Sequence, residues 1–411
     1  MSFSARKWAV AIAFSQVALV AFVAQAPARA DDGALINALE QTVPLVDLRL
    51  RSETVGQAGK PDTAEALTVR GRFGFETGRA WDTSFLVEGV ALTALVDNYN
   101  NTFNGKVQYP SVSDPETYGL NRLQLKNTSL PETTLIVGRS TIALDNERFV
   151  GRSNWRQLEQ TFDAVQLINS TIPDVTVDLT YLNRVNRVYG KNSPQGTYRG
   201  DNYLANVGVG TPVGKLTGFA YLTEFDIAPT DSTQTYGARF VGDRALGAFG
   251  LGYSLTYAIQ RDRANNPLRF QNDYWQGELS GGLYGVTLAA GVEVLGGNGV
   301  KGFTTPIATL HPFQGWAEQF TTHPPNGIDD RYGSLSYAVK NAFGPASSIA
   351  ATAVYHEFRS ARLDLDYGSE IDAMVKATWR RFAWLVEYAD YRARQYSSDT
   401  HKLWVEMDFV L

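Results

Sequence analysis

Apolar and polar residues alternate strictly through the last eleven positions of the chain. The apolar face is formed by Leu403, Val405, Met407, Phe409 and Leu411. The other face carries Lys402, Trp404, Glu406, Asp408 and Val410. A period of two residues predicts a β-strand with one wet face. An open edge this apolar would aggregate, so we expect the strand to pair with another, most simply with the first strand of a closed barrel, beside Arg49 and Arg51.

Similar alternation recurs from Leu45 to the carboxyl terminus, between turn-rich stretches. It predicts an all-β fold, a transmembrane antiparallel β-barrel with one chain per barrel. An even strand number suits closure, and eighteen strands fit better than the alternative of sixteen. The predicted strands are 45–55, 64–78, 81–98, 118–129, 132–142, 161–170, 173–186, 201–210, 214–226, 233–243, 247–261, 268–281, 283–295, 331–341, 346–359, 367–380, 381–394 and 398–411.

Short and long connections separate these strands. Tight turns are predicted at 78–80, 212–214, Gly281-Gly282 and 380–381, and long loops at 100–117, 187–200 and 296–330. Bacterial barrels place short turns on one rim and long extracellular loops on the other. A soluble β-sandwich array or β-solenoid is the alternative, but no period of 20 to 50 residues repeats.

The first thirty residues have the pattern of a secretory signal peptide. Arg6 and Lys7 precede an apolar stretch at 8–23, and Ala28-Arg29-Ala30 supplies small residues for cleavage. The alternative, a membrane helix, would need a longer apolar run. We therefore expect residues 1–30 to be removed and residues 31–411 to form a single barrel domain in the outer membrane.

Composition removes several classes of function. The chain has no cysteine, which excludes disulfides, a catalytic thiol and thiolate metal sites. Without residues 1–30 it keeps 34 of its 37 Lys and Arg against 42 Asp and Glu, a net charge of −8. Its four histidines show no metal-binding spacing, and no Gly-x-Ser-x-Gly motif occurs. No enzymatic activity, catalytic residue, metal, cofactor or nucleic-acid partner is expected.

Charged residues fall on the less apolar face of many strands, which we assign to the lumen. The cations are Arg49, Arg51, Arg70, Arg72, Arg122, Lys126, Arg184 and Arg239. Acidic partners on the early strands are Asp47, Glu53, Glu76 and Glu88. Neighbouring strands would combine the early cations into one basic wall, and rings of Arg or Lys select anions. The alternative is that these charges pair across strands and brace the barrel.

The segment 138–164 interrupts the alternation with a dense set of charges. It contains Arg139, Arg148, Arg152 and Arg156 together with Asp145, Glu147, Glu159 and Asp163. Its polarity does not suit a lipid-facing strand. We expect residues 143–160 to fold into the pore as a hairpin or loop braced by its own ion pairs, and an external loop is the alternative.

Several short motifs, in this segment and in the first two predicted strands, resemble those of the alginate-export family of outer-membrane channels. They are 145–151 (DNERFVG), 155–157 (WRQ), 161–164 (TFDA), 47–51 (DLRLR) and 68–74 (TVRGRFG). The resemblance implies an eighteen-stranded monomeric barrel whose arginine-lined constriction passes a polyuronate. The residues that it marks as pore or plug candidates are Arg49, Arg51, Arg70, Arg72, Arg139, Arg148, Arg152 and Arg156.

Pattern and resemblance together predict a passive outer-membrane channel for hydrophilic, anionic solutes or a polyuronate polysaccharide. A general uptake porin is the first alternative, and a barrel hydrolase or a structural barrel is the second. The expected partners are outer-membrane lipid, an anionic saccharide or small anionic solute, and periplasmic export components.

Overall fold

The computed structural model describes residues 32–411, so the predicted signal peptide at 1–30 lies outside the described residues. A helix, α1, spans Asp32–Glu40. Within the described residues, no helix combines the length and hydropathy needed to cross a membrane. The strands are β1 (Val43–Gln57), β2 (Ala64–Glu76), β3 (Thr83–Asn98), β4 (Thr117–Asn127), β5 (Thr133–Ser140), β6 (Thr161–Asn169), β7 (Val175–Asn186), β8 (Thr197–Thr211), β9 (Gly214–Leu222), β10 (Thr233–Leu246), β11 (Phe249–Asp262), β12 (Gln271–Leu283), β13 (Val286–Leu295), β14 (Ile328–Lys340), β15 (Ser347–Arg359), β16 (Asp366–Trp379), β17 (Phe382–Ala393) and β18 (Thr400–Val410).

The eighteen strands form one closed antiparallel barrel, as the alternation predicts. Every strand pairs with its neighbours along the chain, and β1 also pairs with β18, so the sheet has no free edge. The closing register places Arg49 opposite Asp408 and Arg51 opposite Glu406. The expected pairing of the last strand with the first is therefore confirmed.

Connections differ in length between the two rims of the barrel. The turn rim carries both ends of the barrel and the short connections, such as 212–213 and 380–381. The loop rim carries the long connections, among them 99–116, 141–160 and 296–327. Barrels of this kind expose their long loops outside the cell, so the loop rim is the extracellular one.

The predicted turn at Gly281-Gly282 is wrong by a few residues. Both glycines lie within β12, and the turn falls at Tyr284 and Gly285, whose φ angles are 51° and 84°. Two consecutive positive φ angles are typical of a two-residue hairpin turn. A Cβ at Gly281 would lie 2.8 Å from the ring of Phe249, so this glycine makes room for an aromatic side chain rather than for a turn.

The outer surface of the barrel is apolar. Leu279, Leu288 and Val375 are examples of outward side chains that stay more than half exposed. Every backbone group of a closed barrel pairs within the sheet, and an apolar outer surface requires a hydrocarbon solvent. The protein is therefore an outer-membrane barrel. Its buried aromatic core, with Phe303, Phe320 and Phe358, lies inside the barrel, where long loops fill part of the lumen.

Candidate functional site

Six cations occupy the inward face of strands β1, β2 and β4, which β3 joins into one stretch of the barrel, and we call them the basic wall. They are Arg49, Arg51, Arg70, Arg72, Arg122 and Lys126. Their orientation follows from the alternation, because Leu48, Leu50 and Leu123 lie between them in sequence and face outward. The early strands therefore bring their cations to one side of the lumen, as their pattern predicts.

Carboxylates interleave with this basic wall. Asp47 accepts hydrogen bonds from Arg70 and Arg72. Arg72 also contacts Glu159 at 2.7 Å.

Two further ion pairs complete the pattern. The Arg122 guanidinium donates to Glu88 at 2.7 Å, and Arg49 donates to Asp408 at 2.7 Å. The side chains of Arg49, Arg72 and Arg122 nonetheless keep 12%, 14% and 24% of their surface exposed. Cross-strand bracing and contact with lumen water therefore coexist in these arginines.

Residues 141–160, here loop A, lie against the basic wall inside the barrel. The Arg51 guanidinium stacks 4.2 Å from the Trp155 ring centre and donates to the Trp155 carbonyl oxygen at 2.6 Å. Arg49 donates to the same carbonyl oxygen at 3.1 Å. The Gln157 amide donates to the Thr68 hydroxyl at 2.8 Å. These contacts hold one end of loop A on β1 and β2.

Residues 296–327, here loop B, meet loop A across the lumen. The amide of Gly151 donates to the Ile307 carbonyl oxygen at 2.9 Å, and the amide of Thr309 donates to the Glu147 carbonyl oxygen at 3.0 Å. Sequence reasoning treated 296–330 only as a long external loop. Its partial burial against loop A is a feature that the sequence pattern did not predict.

Arg148 joins the two loops to the barrel. Its guanidinium donates to Glu293 of β13 at 2.5 Å, to Thr305 at 3.0 Å and to Gln314 at 3.0 Å. The Tyr274 hydroxyl donates to the same glutamate at 2.7 Å. Arg148 has only 1% of its side chain exposed. It was predicted as a pathway residue, but its burial makes it an anchor of the loops.

A second anchor is centred on Glu318 of loop B. Its carboxylate pairs with Arg156 of loop A and with Lys402 of β18, the latter at 2.8 Å. Arg156 also contacts Glu53 of β1 at 3.4 Å. Burial opposes ionisation of Glu318, but Arg156 and Lys402 outweigh it and hold its pKa well below the ordinary range. The contact therefore stays charged, and Arg156 acts as a brace.

His311 of loop B completes this anchor. Its ring stacks on Trp155 with centres 3.9 Å apart, and its two nitrogens lie 3.2 Å from Glu318 and 2.8 Å from Glu387. Burial disfavours the charged ring, yet the two carboxylates outweigh burial and raise the pKa of His311. In contrast, burial and Arg148 lower the pKa of His323 to about 3.

The raised pKa gives loop B a pH response with a defined sign. Protonated His311 stabilises the anchor fully below about pH 6.5, and this contribution is lost as pH rises through the raised pKa. We expect fluctuations of the single-channel current to become more frequent between about pH 6 and pH 9. His311→Gln removes the charge but keeps a polar side chain. The current through this variant is expected to fluctuate equally often at both pH values. A pH response that persists in the variant would contradict the assignment to His311.

Two carboxylates of β16, which only β17 and β18 separate from β1, lie beneath loop B. Glu370 accepts a hydrogen bond from the Ala317 amide at 2.6 Å, and Asp372 accepts one from the Trp316 amide at 3.3 Å. Both are almost fully buried, as is Asp330, which contacts His356 at 2.8 Å. Loop B therefore covers carboxylates of β16, whereas Arg49, Arg72 and Arg122 of the basic wall stay partly exposed.

A cavity of about 280 Å³ opens above the two anchors. Trp155, Arg156, Tyr189, His311 and Lys402 are among its lining residues. The cavity is polar and lies on the loop side of the constriction. Glu318, which pairs with Arg156 and Lys402, also lines it, so the cavity presents mixed charges on the loop side of the constriction.

Two predicted lumen cations, Arg139 and Arg184, face outward instead. Arg139 stands directly opposite Leu123, on the apolar outer face, and the register continues from Arg139 through Asp163 of β6 to Arg184 of β7. Register shifts after Asp163 and Leu182 reverse the expected inward direction of the β7 cation. Asp163, predicted as a lumen carboxylate, belongs to the same outer surface.

The remaining predicted residues have ordinary contacts. Arg239 donates to the Thr256 hydroxyl at 2.8 Å inside the barrel, and Arg152 is half exposed and lies 3.8 Å from Glu147. Asp145 accepts a hydrogen bond from Asn206 at 2.8 Å, and Glu76 accepts one from Ser84 at 3.4 Å.

Comparisons with known proteins identify the fold. No model of a known protein family matches the chain, and no curated protein matches it. Similar solved structures include Pseudomonas aeruginosa OpdK with vanillate, which is 14% identical with a TM-score of 0.65, over 90% of this chain and 98% of that one. Pseudomonas aeruginosa OpdL is 17% identical with a TM-score of 0.66, over 91% and 99%. A BenF-like porin from Pseudomonas fluorescens is 13% identical with a TM-score of 0.70, over 91% and 100%.

These likenesses correct the alginate-export assignment. The solved structures that share the fold are Occ, Opd and BenF-like proteins, not alginate-export channels. Two of the arginines that the resemblance marked as pore candidates do not line the lumen. Arg139 faces outward, and Arg148 is buried and anchors the loops. The joined loops A and B also cross the lumen that a polymer would have to thread.

Proposed function

We propose that this protein is a passive channel for the uptake of small hydrophilic solutes, with a preference for small organic anions. The observation that supports this proposal is the unequal exposure of cations and carboxylates in the narrowed lumen. Arg49, Arg72 and Arg122 of the basic wall stay partly exposed, whereas the carboxylates Glu370 and Asp372 of β16 lie under loop B. No reaction step is required, because conduction needs only fixed charge and weak binding.

The narrowing supports small solutes over polymers. Loops A and B are joined to each other by backbone hydrogen bonds and to the barrel by Arg148 and Arg156. A constriction with several buried ion pairs does not part without cost, since breaking one such pair costs about 3 to 5 kcal/mol. The general uptake porin, rather than a polysaccharide exporter, fits this geometry.

The basic wall supports anions within this class. Arg49, Arg72 and Arg122 place partly exposed guanidinium groups along one side of the lumen. A guanidinium binds a carboxylate through two parallel hydrogen bonds. The solved structure of OpdK with vanillate, a small aromatic carboxylate, is consistent with a carboxylate as the solute of a barrel with this fold.

A set of three solutes of one shape tests the preference. Benzoate, benzamide and benzylammonium differ mainly in charge, so size exclusion affects them alike. In proteoliposomes containing the full barrel, we expect influx to fall in that order, because the basic wall attracts the first and repels the third. Equal rates would leave a general pore without anion preference, and the reverse order would contradict the proposal.

A further inference from the structure

Four charged residues form a row across the outer face of the barrel near the loop rim. Arg139 of β5, Asp163 of β6, Arg184 of β7 and Arg199 of β8 stand directly opposite one another in successive strand pairs. We call them the outer arginine row. It carries three cations and one carboxylate on adjacent strands.

The row points away from the lumen. Directly opposite residues of an antiparallel pair project to the same side, and Leu123, opposite Arg139, belongs to the apolar outer face. The adjacent residues Phe162 and Val185 are fully buried in the interior core. Asp163 follows Phe162 and Arg184 precedes Val185, so both charged side chains project to the opposite side, which faces the membrane.

Its depth places the row at the level of lipid headgroups. Tyr181 and Tyr203 lie on the same outer face, nearer the turn rim, with ring centres 5.4 Å apart. Tyrosines of this kind mark the boundary between hydrocarbon and headgroups. Arg184 and Arg199 are closer to the loop rim than these tyrosines, so they lie beyond that boundary on the extracellular side.

The charges of the row do not balance. Arg139 is neutralised by Asp163, with contacts of 2.6 and 3.0 Å. Arg184 and Arg199 face each other, and within residues 32–411 neither forms an ion pair. Arg184 has one long hydrogen bond, 3.5 Å to Thr197, and its Nε is shielded without a partner. Directly opposed like charges destabilise a sheet.

Arginines elsewhere on the outer rim are paired differently. Arg331 contacts Asp329 at 3.0 Å and Arg392 contacts Asp390 at 2.8 Å, each within its own strand. Arg359 contacts Asp364 at 3.1 Å. Asp201 has the same spacing from Arg199, but its carboxylate accepts a hydrogen bond from the Tyr181 hydroxyl at 2.7 Å. Among the described residues no carboxylate lies within 4 Å of Arg184 or Arg199, although Asp163 stands opposite Arg184 in the register.

We propose that Arg184 and Arg199 bind a phosphate group of an anionic lipid in the extracellular leaflet. Because Arg184 and Arg199 are directly opposite in the register, one phosphate group can lie between their side chains, and each guanidinium supplies donors for phosphate oxygens. A phosphate between them offsets the like-charge repulsion. The lipid tails then lie along the apolar face beneath the row, next to Tyr181 and Tyr203.

Lipid retention by the full barrel tests this site. The purified protein is mixed in detergent with bisphosphorylated lipid A or with its dephosphorylated form, and bound lipid is counted by native mass spectrometry. We expect the phosphorylated lipid to be retained, and Arg184→Gln/Arg199→Gln to weaken retention about thirtyfold, since each arginine near an anionic surface contributes about fivefold. Arg331→Gln/Arg392→Gln removes the same charge from the same face and is expected to behave as wild type.

Three outcomes would overturn the site. They are equal retention of the dephosphorylated lipid, unchanged retention by the double variant, and displacement of the lipid by millimolar inorganic phosphate, which would show a free-anion site. Heat-modifiable gel mobility reports folding, and single-channel conductance should not change because the row faces outward. If the double variant does not fold, the exposed Arg199→Gln alone is expected to weaken retention about fivefold.

Discussion

Replacing Arg148 by methionine is expected to raise the single-channel conductance several-fold. Arg148 joins loop A to Glu293 of β13 and to Thr305 and Gln314 of loop B. Methionine fills similar space but leaves Glu293 buried without a cation, at a cost of about 3 to 5 kcal/mol. The two loops relieve that cost by separating and admitting water, which widens the constriction.

A second arginine of loop A supplies the control for this change. Arg152 is half exposed and lies 3.8 Å from Glu147, so Arg152→Met should leave the conductance near that of wild type. Planar lipid bilayers give the conductance, and gel mobility establishes that both variants are folded. A folded Arg148→Met barrel with wild-type conductance would show that loops A and B do not set the width of the channel.

Replacing both Arg72 and Arg122 by glutamine is expected to reverse the charge preference of the channel. The change removes two partly exposed cations and takes guanidinium partners from Asp47, Glu88 and Glu159. A unit charge about 8 Å from a passing ion contributes about 0.5 to 2 kcal/mol at an effective dielectric constant of about 80 to 20. We therefore expect the chloride to potassium permeability ratio to fall about tenfold or more.

The control for this change is the double variant Arg331→Gln/Arg392→Gln. It loses the same net charge from exposed arginines on the outer face. Its permeability ratio should remain that of wild type, because those side chains do not line the lumen. An equal effect of the two double variants would mean that overall protein charge, not the basic wall, governs selectivity.

The barrel itself could be predicted from the sequence because its signal is local. Alternation places Leu48 and Leu50 on one face and Arg49 and Arg51 on the other, whatever the rest of the chain does. The truncated alternation at the carboxyl terminus likewise predicted that β18 closes on β1. A sheet without edges leaves few other solutions for such strands.

The direction of Arg184 could not be predicted because a bulge changes the face on which later residues lie. Simple alternation along β7 places Arg184 on the same side as Leu182, but the register shift between them turns the arginine outward. The error at Arg139 had another origin. Arg139 was assigned to the lumen because it belongs to a motif of the resemblance. It lies two residues after the apolar Val137 in the same strand, and this spacing already indicated the outer face.

The constriction was beyond sequence reasoning because its contacts join distant parts of the chain. Arg148 and Glu293 are 145 residues apart, and Arg156 and Glu318 are 162 apart. The charge density of loop A was visible in the sequence, but nothing local to loop B indicated that it turns inward. Covering the carboxylates Glu370 and Asp372 is a consequence of that fold, and it changes which charges a solute meets.

The zero-current potential of the wild-type channel between unequal KCl solutions measures this asymmetry most directly. A lumen whose partly exposed guanidinium groups outweigh its covered carboxylates predicts that chloride permeates better than potassium, so the potential has the sign of an anion-selective pore. A potential of the opposite sign would contradict the account, because the carboxylates beneath loop B would then be the groups that passing ions meet.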